Sequence, residues 1–249
     1  MIIIKSKREI DLMRESGKVT KEILNTLPDF IKPGKTTADI DKYVADIMRK
    51  HNVTASFKGY NGFPGSVCAS VNEEIVHGIP SKKRILHEGD IVSIDVGCTY
   101  KGYITDAART YKVGKVSDMA EKIIASAEKS FFKGLEFCKV GFRISDISNA
   151  IQNSVEADGF GIIRELVGHG VGVELHEEPP IANYGKAGRG PRIEVGMGLA
   201  VEPMISEGDY HIDILDDDWT YVTRDRKLSA HYENTIVITD DGEPELLTY

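Results

Sequence analysis

The segments beginning at Phe30 and at Phe137 repeat one pattern, and this constrains the fold more than any other feature of the chain. The first, FIKPGKTTADID, aligns with the second, FCKVGFRISDIS. Their common spacing, K-x-G-x(4)-D-I, sets Gly34 on Gly141, Asp39 on Asp146 and Ile40 on Ile147. Carried on without a gap, the same offset takes Gly89 to Gly196 and Asp95 to Glu202. Repetition at a fixed period predicts repeated supersecondary units that bury their apolar faces together. We therefore expect one domain over residues 1–249, built from two related halves at about 30–112 and 137–239, with any site at their junction.

The repeat also joins two members of a chemically unusual set. Asp95, Asp106, His169, Glu202 and Glu233 each interrupt a short apolar or β-branched segment: IVSIDVG, GYITDAARTY, ELVGHGVGV, GLAVEPMI and HYENTIVIT. Side chains alternate along a strand, so Asp95 shares a face with Ile91 and Ser93, Glu202 with Ala200 and Met204, and Glu233 with His231 and Thr235. Asp106 follows Asp95 by eleven positions across Tyr100-Lys101-Gly102, a spacing that suits a hairpin. A lone strand aspartate is ordinarily solvated, and a lone buried histidine is ordinarily a satisfied core residue. Four carboxylates converging without cations would repel one another and stay protonated. Two divalent ions resolve that conflict. The donors are oxygen-rich, with one nitrogen and no thiolate, which favours Mn(II), Fe(II), Co(II) or Zn(II) over Cu(I) or iron–sulfur. Ions about 3.5–4 Å apart would lower the pKa of a shared water and polarise a carbonyl.

Composition excludes other classes. A net charge of −8 gives no electrostatic case for direct nucleic-acid or anionic-membrane binding. Three cysteines without CxxC spacing make no disulfide framework or zinc finger. The apolar start MIII is too short for a signal core, and no run reaches the roughly 20 residues of a membrane helix. We expect a cytoplasmic chain. Helical spacing predicts helices at about Ile10–Leu27, Asp39–His51, Ser117–Phe137 and Ser145–Ala157, with strands at 66–112 and from 158 onward.

The motifs YNGFPGSVCASVNEEIVHGIP, EGDIVSIDVG, GYITDAARTY, VGHGVG with HEEPPI, VEPM, and WTYVTRDRKLSAHYENTIVIT span most of the chain. Together they resemble the type I methionine aminopeptidases of bacteria. The resemblance implies an α/β (α+β) pita-bread fold, two pseudo-twofold-related halves of antiparallel sheet flanked by helices. It implies a metal-bridged hydroxide that attacks the peptide carbonyl and releases N-terminal methionine, with a small second residue preferred. Asp95 would chelate one ion, Asp106 and Glu233 would bridge both, and His169 and Glu202 would complete the other. Glu202 would serve as general base, and His77 and His176 would stabilise the tetrahedral intermediate. The methionine pocket would comprise Phe57, Tyr60, Phe63, Cys68, His77, Leu175 and Trp219. Asn72 and Ser229 would hold a monovalent cation. The implied partner is the N-terminal methionine of nascent chains, with transient ribosome contact; the lack of a zinc-binding N-terminal segment and of a large insertion near the C terminus points to a bare bacterial-type enzyme, and we expect a monomer.

Taken on their own, Glu177-Glu178 read as solvated loop acids rather than a base. Leu175 stands where many bacterial members carry an aromatic, Asn61 where some carry histidine, and Val173-Glu174 resembles the related Xaa-Pro peptidases. Two other readings share the fold: a Xaa-Pro peptidase, and a binding module without activity. The first usually carries an additional N-terminal domain, and the second typically loses ligands, whereas all five positions are filled here.

Overall fold

A computed structural model describes residues 1–249. The four expected helices form as two pairs, α1 (Lys7–Phe30) with α2 (Thr37–Lys50), and α3 (Asp118–Leu135) with α4 (Ile144–Ala157). Helix α1 is three residues longer at each end than its apolar spacing predicted, and Pro28 sits inside its last turn. Helix α2 begins two residues early because its cap is Thr36. The Thr36 hydroxyl accepts from Asp39 N at 3.1 Å while the Asp39 carboxylate accepts Thr36 N–H at 2.8 Å. In α4 the Asp146 carboxylate accepts Arg143 N–H at 2.8 Å, at the equivalent place in the second copy of the repeat. Backbone bridges Thr36–Ile85 and Arg143–Arg192 are related by the same offset.

Each helix pair covers its own apolar core. One contains Ile23, Leu27, Ile40, Val44, Ile94, Val96 and Cys98, contributed by α1, α2 and the hairpin behind them. The other contains Ile123, Phe131, Ile147, Ile151, Leu199, Ile205 and Ile236. The first sheet is dominated by antiparallel strands Ile91–Tyr100 and Tyr103–Lys112, which pair along ten positions. Their two-residue loop is Lys101-Gly102, with φ of 49° and 85°, the positive-φ turn that matches strand twist. Short strands Thr54–Ala55 and Cys68–Val71 pair on Ile91–Tyr100, facing Cys98–Thr99 and Val92–Asp95 respectively.

The second half is less regular. Gly198–Val201 joins a five-stranded sheet against Asn234–Ile238, while Met204–Ser206 joins a different sheet against Ser229–His231. The chain changes sheets at Glu202-Pro203 on one side and Tyr232-Glu233 on the other, because Pro203 has no N–H to continue a ladder. Threonine hydroxyls then join the halves: Thr235 Oγ1 bonds both Asp106 N and O at 2.8 Å, and Thr110 Oγ1 bonds both His231 N and O at 2.9 Å.

Glu177 corrects the expectation of a solvated loop acid. Its side chain is 2% exposed and paired with the fully buried Lys5 ammonium. Its other oxygen accepts Val173 N–H at 2.7 Å and Glu174 N–H at 3.0 Å. The pair thus ties the first residues of the chain to the loop that carries Leu175 and His176. Removing one partner of a buried pair strands the other charge and costs about 3–5 kcal/mol. Lys5→Met and Glu177→Gln should therefore each lower Tm by roughly 6–20 °C at about 2–4 °C per kcal/mol. Thermal unfolding of the two single variants and the double variant checks this: the double should lose far less than the summed losses.

Candidate metal centre

The five predicted donors meet at one cavity of about 390 Å³, which all of them line. Asp95 faces Ala108 in the hairpin register and Asp106 faces Gly97, so the two carboxylates are diagonal neighbours on one face. Gly97 keeps that face open: a Cβ there would lie 2.8 Å from the Phe57 ring. His169 occupies Gly168–Gly170, where a Cβ on either glycine would strike a carbonyl oxygen, Ala200 O at 2.4 Å or Glu178 O at 2.3 Å. Only glycine lets the neighbouring strands close around that histidine. Glu202 and Glu233 were expected within strands, sharing faces with their neighbours. They lie instead in the two breaks where the chain switches sheets, and Glu233 N bonds Ala108 O at 2.9 Å across the junction.

Asp106, His169, Glu202 and Glu233 are buried and Asp95 is partly so. Burial, and after it the mutual repulsion of the carboxylates, holds Asp95 and Glu233 well above the ordinary range; burial followed by Asp106 does the same for Glu202. Burial also raises Asp106, to about 6. Buried polar atoms are nearly always bonded, yet Asp95 Oδ1, Asp106 Oδ1 and Glu233 Oε1 have no partner in the protein. His169 Nδ1 lies 3.0 Å from Gly170 O, which fixes the proton there and turns the Nε2 lone pair toward Glu202 Oε1 at 3.4 Å. Ligand atoms of Asp106, His169 and Glu233 lie within 4.8 Å of one another, as do those of Glu202, His231 and Glu233. Orphaned carboxylate oxygens, a correctly tautomerised imidazole and the gathering of Asp106, His169 and Glu233 fit divalent cations. Four carboxylates would balance the charge of two such ions.

The rest of the cavity is mainly apolar and aromatic. Phe57, Phe63, Cys68 and Leu175 form a buried cluster with Tyr60 and Trp219 packed against it. The Phe63 and Trp219 rings meet edge-on at 5.1 Å. His77 sits at φ 59°, where Gly78 must follow because a Cβ there would lie 2.4 Å from Ala69 O. Burial, and secondarily the nearby His176, pushes His77 down to about 4, so it is a neutral imidazole at physiological pH. His176 Nδ1 lies 2.9 Å from Tyr60 Oη, and the His176 ring is 4.3 Å from the His169 ring.

Asn72 and Ser229 lie outside the cavity. Ser229 N–H donates to Asn72 O at 2.9 Å, while the Asn72 side chain is engaged by Asp90 and Ile91 N. Asn61, Val76, Glu165, Leu166, Val167 and Met204 also line the cavity. Asn61 stood out in the sequence as a departure from the family pattern and Met204 as sharing a strand face with Glu202, whereas the other four carried no sequence signal for that position. His231 had one: it shares a strand face with Glu233, but no chemistry was attached to it.

A buried acidic donor set between two sheet-and-helix halves, opening on an apolar slot, is the arrangement of a metal-dependent peptidase. Residues 11–240 match the model of Metallopeptidase family M24. The chain is 53% identical over 248 residues to methionine aminopeptidase from Clostridium acetobutylicum, covering 100% of this chain and 99% of that relative. It is 49% identical to methionine aminopeptidase 1 of Bacillus subtilis, with 97% of each chain covered. The crystal structure of methionine aminopeptidase from Thermotoga maritima superposes with a TM-score of 0.97 at 45% identity, covering 100% of this chain and 99% of that one. The chain belongs to metallopeptidase family M24, in its methionine aminopeptidase branch, and has the pita-bread fold. A Xaa-Pro dipeptidase from Bacillus anthracis shares that fold at 24% identity and a TM-score of 0.77, and this chain covers 61% of its length.

Proposed function

We infer that this chain removes the N-terminal methionine from nascent proteins and peptides, with a small second residue preferred, using two divalent ions from among Mn, Fe(II), Co and Zn. The observation that carries the reading is the junction of four carboxylates and one imidazole with an apolar, sulfur-containing slot in one cavity. Asp95, Asp106, His169, Glu202 and Glu233 would hold the ions. When bound, the ions supply Lewis acidity and a nucleophile at neutral pH.

The remaining work falls to side chains of this protein. Glu202 takes up the nucleophile's proton and returns it to the leaving amine. His77 and His176 flank the reacting carbonyl and stabilise the tetrahedral intermediate. With Tyr60 Oη on Nδ1, His176 can present Nε2 to the substrate. Phe57, Tyr60, Phe63, Cys68, His77, Leu175 and Trp219 enclose the methionine side chain, whose polarizable sulfur gains about 0.3–1.5 kcal/mol against aromatic rings. Asn72 and Ser229 hold a monovalent cation beside the site. We also read residues 1–249 as one catalytic domain with an internal duplication, a reading supported by the caps and bridges that recur at the offset of the sequence repeat. We place it in the cytoplasm as a monomer in transient contact with the ribosome. No helix is long and apolar enough to cross a membrane.

Hydrolysis of Met-Gly-Met against Ala-Pro by the metal-free chain reloaded with each ion in turn tests the reading. Methionine release should exceed proline-dipeptide cleavage by about two orders of magnitude. A preference for Ala-Pro would establish the Xaa-Pro reading instead, and inactivity with every ion would leave a binding module.

A further inference from the structure

His231 is 1% exposed, and neither of its ring nitrogens has a hydrogen-bond partner. Its main chain is held at both N and O by Thr110 Oγ1, and it pairs with Met204 in the strand register. The ring direction is therefore set by the sheet. Its Nε2 lies 3.5 Å from Glu202 Oε2 and 3.9 Å from Glu233 Oε2. Glu202 is thus bracketed by two imidazoles, with His169 Nε2 at 3.4 Å from its other oxygen. Leaving a buried N–H unpaired costs about 1–3 kcal/mol. The nearest acceptor is Glu202, about half an ångström beyond ordinary hydrogen-bond distance.

We propose that His231 is a positioning residue for Glu202: its Nε2–H donates to Glu202 Oε2 and keeps Oε1 turned toward His169 and the metal. This rests on the reading of Glu202 as ligand and base. Direct ligation by His231 is the weaker alternative, because a metal-binding imidazole ordinarily donates its second N–H to an anchor. His169 does so at Gly170 O, and His231 Nδ1 has no such anchor. Because the bond acts on the orientation of the base, its loss should appear in kcat more than in KM.

The experiment compares wild type, His231→Gln and His231→Leu. Mn(II) binding to the metal-free chain is followed by isothermal titration calorimetry, and kcat and KM are measured on Met-Gly-Met. Glutamine retains a donor near the Nε2 position and should stay within about threefold of wild type. Leucine should lower kcat and weaken Mn(II) binding by roughly 10–100-fold, with stoichiometry preserved and KM little changed. Circular dichroism of the metal-free variants checks folding. If leucine does not fold, a glutamine variant with wild-type kcat and Mn(II) affinity supports the donor role, and one that loses both overturns it. A leucine variant that matches wild type overturns it, as does loss of one whole Mn(II) equivalent in both variants, which would make His231 a ligand. Wild type that binds no Mn(II), Co(II), Fe(II) or Zn(II) instead defeats the reading of the centre itself.

Discussion

Glu202→Gln is expected to lower kcat on methionyl peptides by roughly 10²–10⁴-fold, the usual worth of a positioned general base. The amide keeps the shape of the carboxylate and one oxygen donor, yet it takes up no proton at neutral pH. Such a loss is about 3–5 kcal/mol of transition-state stabilisation. KM should change far less, because Glu202 lies among the buried carboxylates while the proposed methionine contacts fall to the aromatic slot. Steady-state kinetics together with the metal content of the purified variant separate the two roles of this residue. A variant that retains both ions and keeps kcat within tenfold of wild type would remove the proton-transfer role. One that loses an ion would place the defect in binding.

Stripping the divalent ions with a chelator should make stability strongly dependent on pH. Asp95, Glu202 and Glu233 stand well above the ordinary carboxylate range in the metal-free fold, through burial first and neighbouring carboxylates second. In that state the folded protein holds protons that the unfolded chain has already released. Stability is then fully present below the unfolded carboxylate value near 4 and is lost as pH rises through the folded values. The buried histidines act in the opposite direction: His169 and His231, each pushed down to about 3 by burial, destabilise the fold as pH drops below about 6.5. Above pH 7 only the carboxylate effect remains of the two. Each extra proton held by the fold costs about 1.4 kcal/mol per pH unit, so Tm of the stripped protein should fall, as pH rises through the folded carboxylate values, by about 3–5 °C per unit for every proton still retained. Metal-loaded protein should be nearly level over the same range, since the ions replace the protons. Differential scanning calorimetry of both forms checks this, and equal slopes would show that the carboxylates do not depend on cations.

Several elements were readable because their causes are local. Helix spacing placed all four helices to within a few residues, and the errors trace to capping: Thr36 rather than a later residue begins α2 because Asp39 reaches back to its N–H. The Asp95–Asp106 hairpin followed from eleven positions and a Lys-Gly turn. Glu202 and Glu233 were correctly expected to converge but wrongly seated within continuous strands. Their breaks depend on which sheet each flank joins, and that is decided by partners far along the chain. Glu177 was misread for the same reason, since its partner Lys5 is 172 residues away and the pair exists only once the loop closes over the N-terminal segment.

By itself, the order of residues determined the helix pairs, the pattern shared by the two halves and the identity of the buried acids, because propensity, capping and polarity act over a few neighbouring positions. The tertiary structure alone decided that Glu202 and Glu233 stand at sheet switches, that Lys5 anchors the loop of His176, and that His231 faces Glu202. Each of these depends on the distance between groups remote in sequence, and electrostatic and hydrogen-bond energies are set by that distance and by the burial that only the closed fold provides.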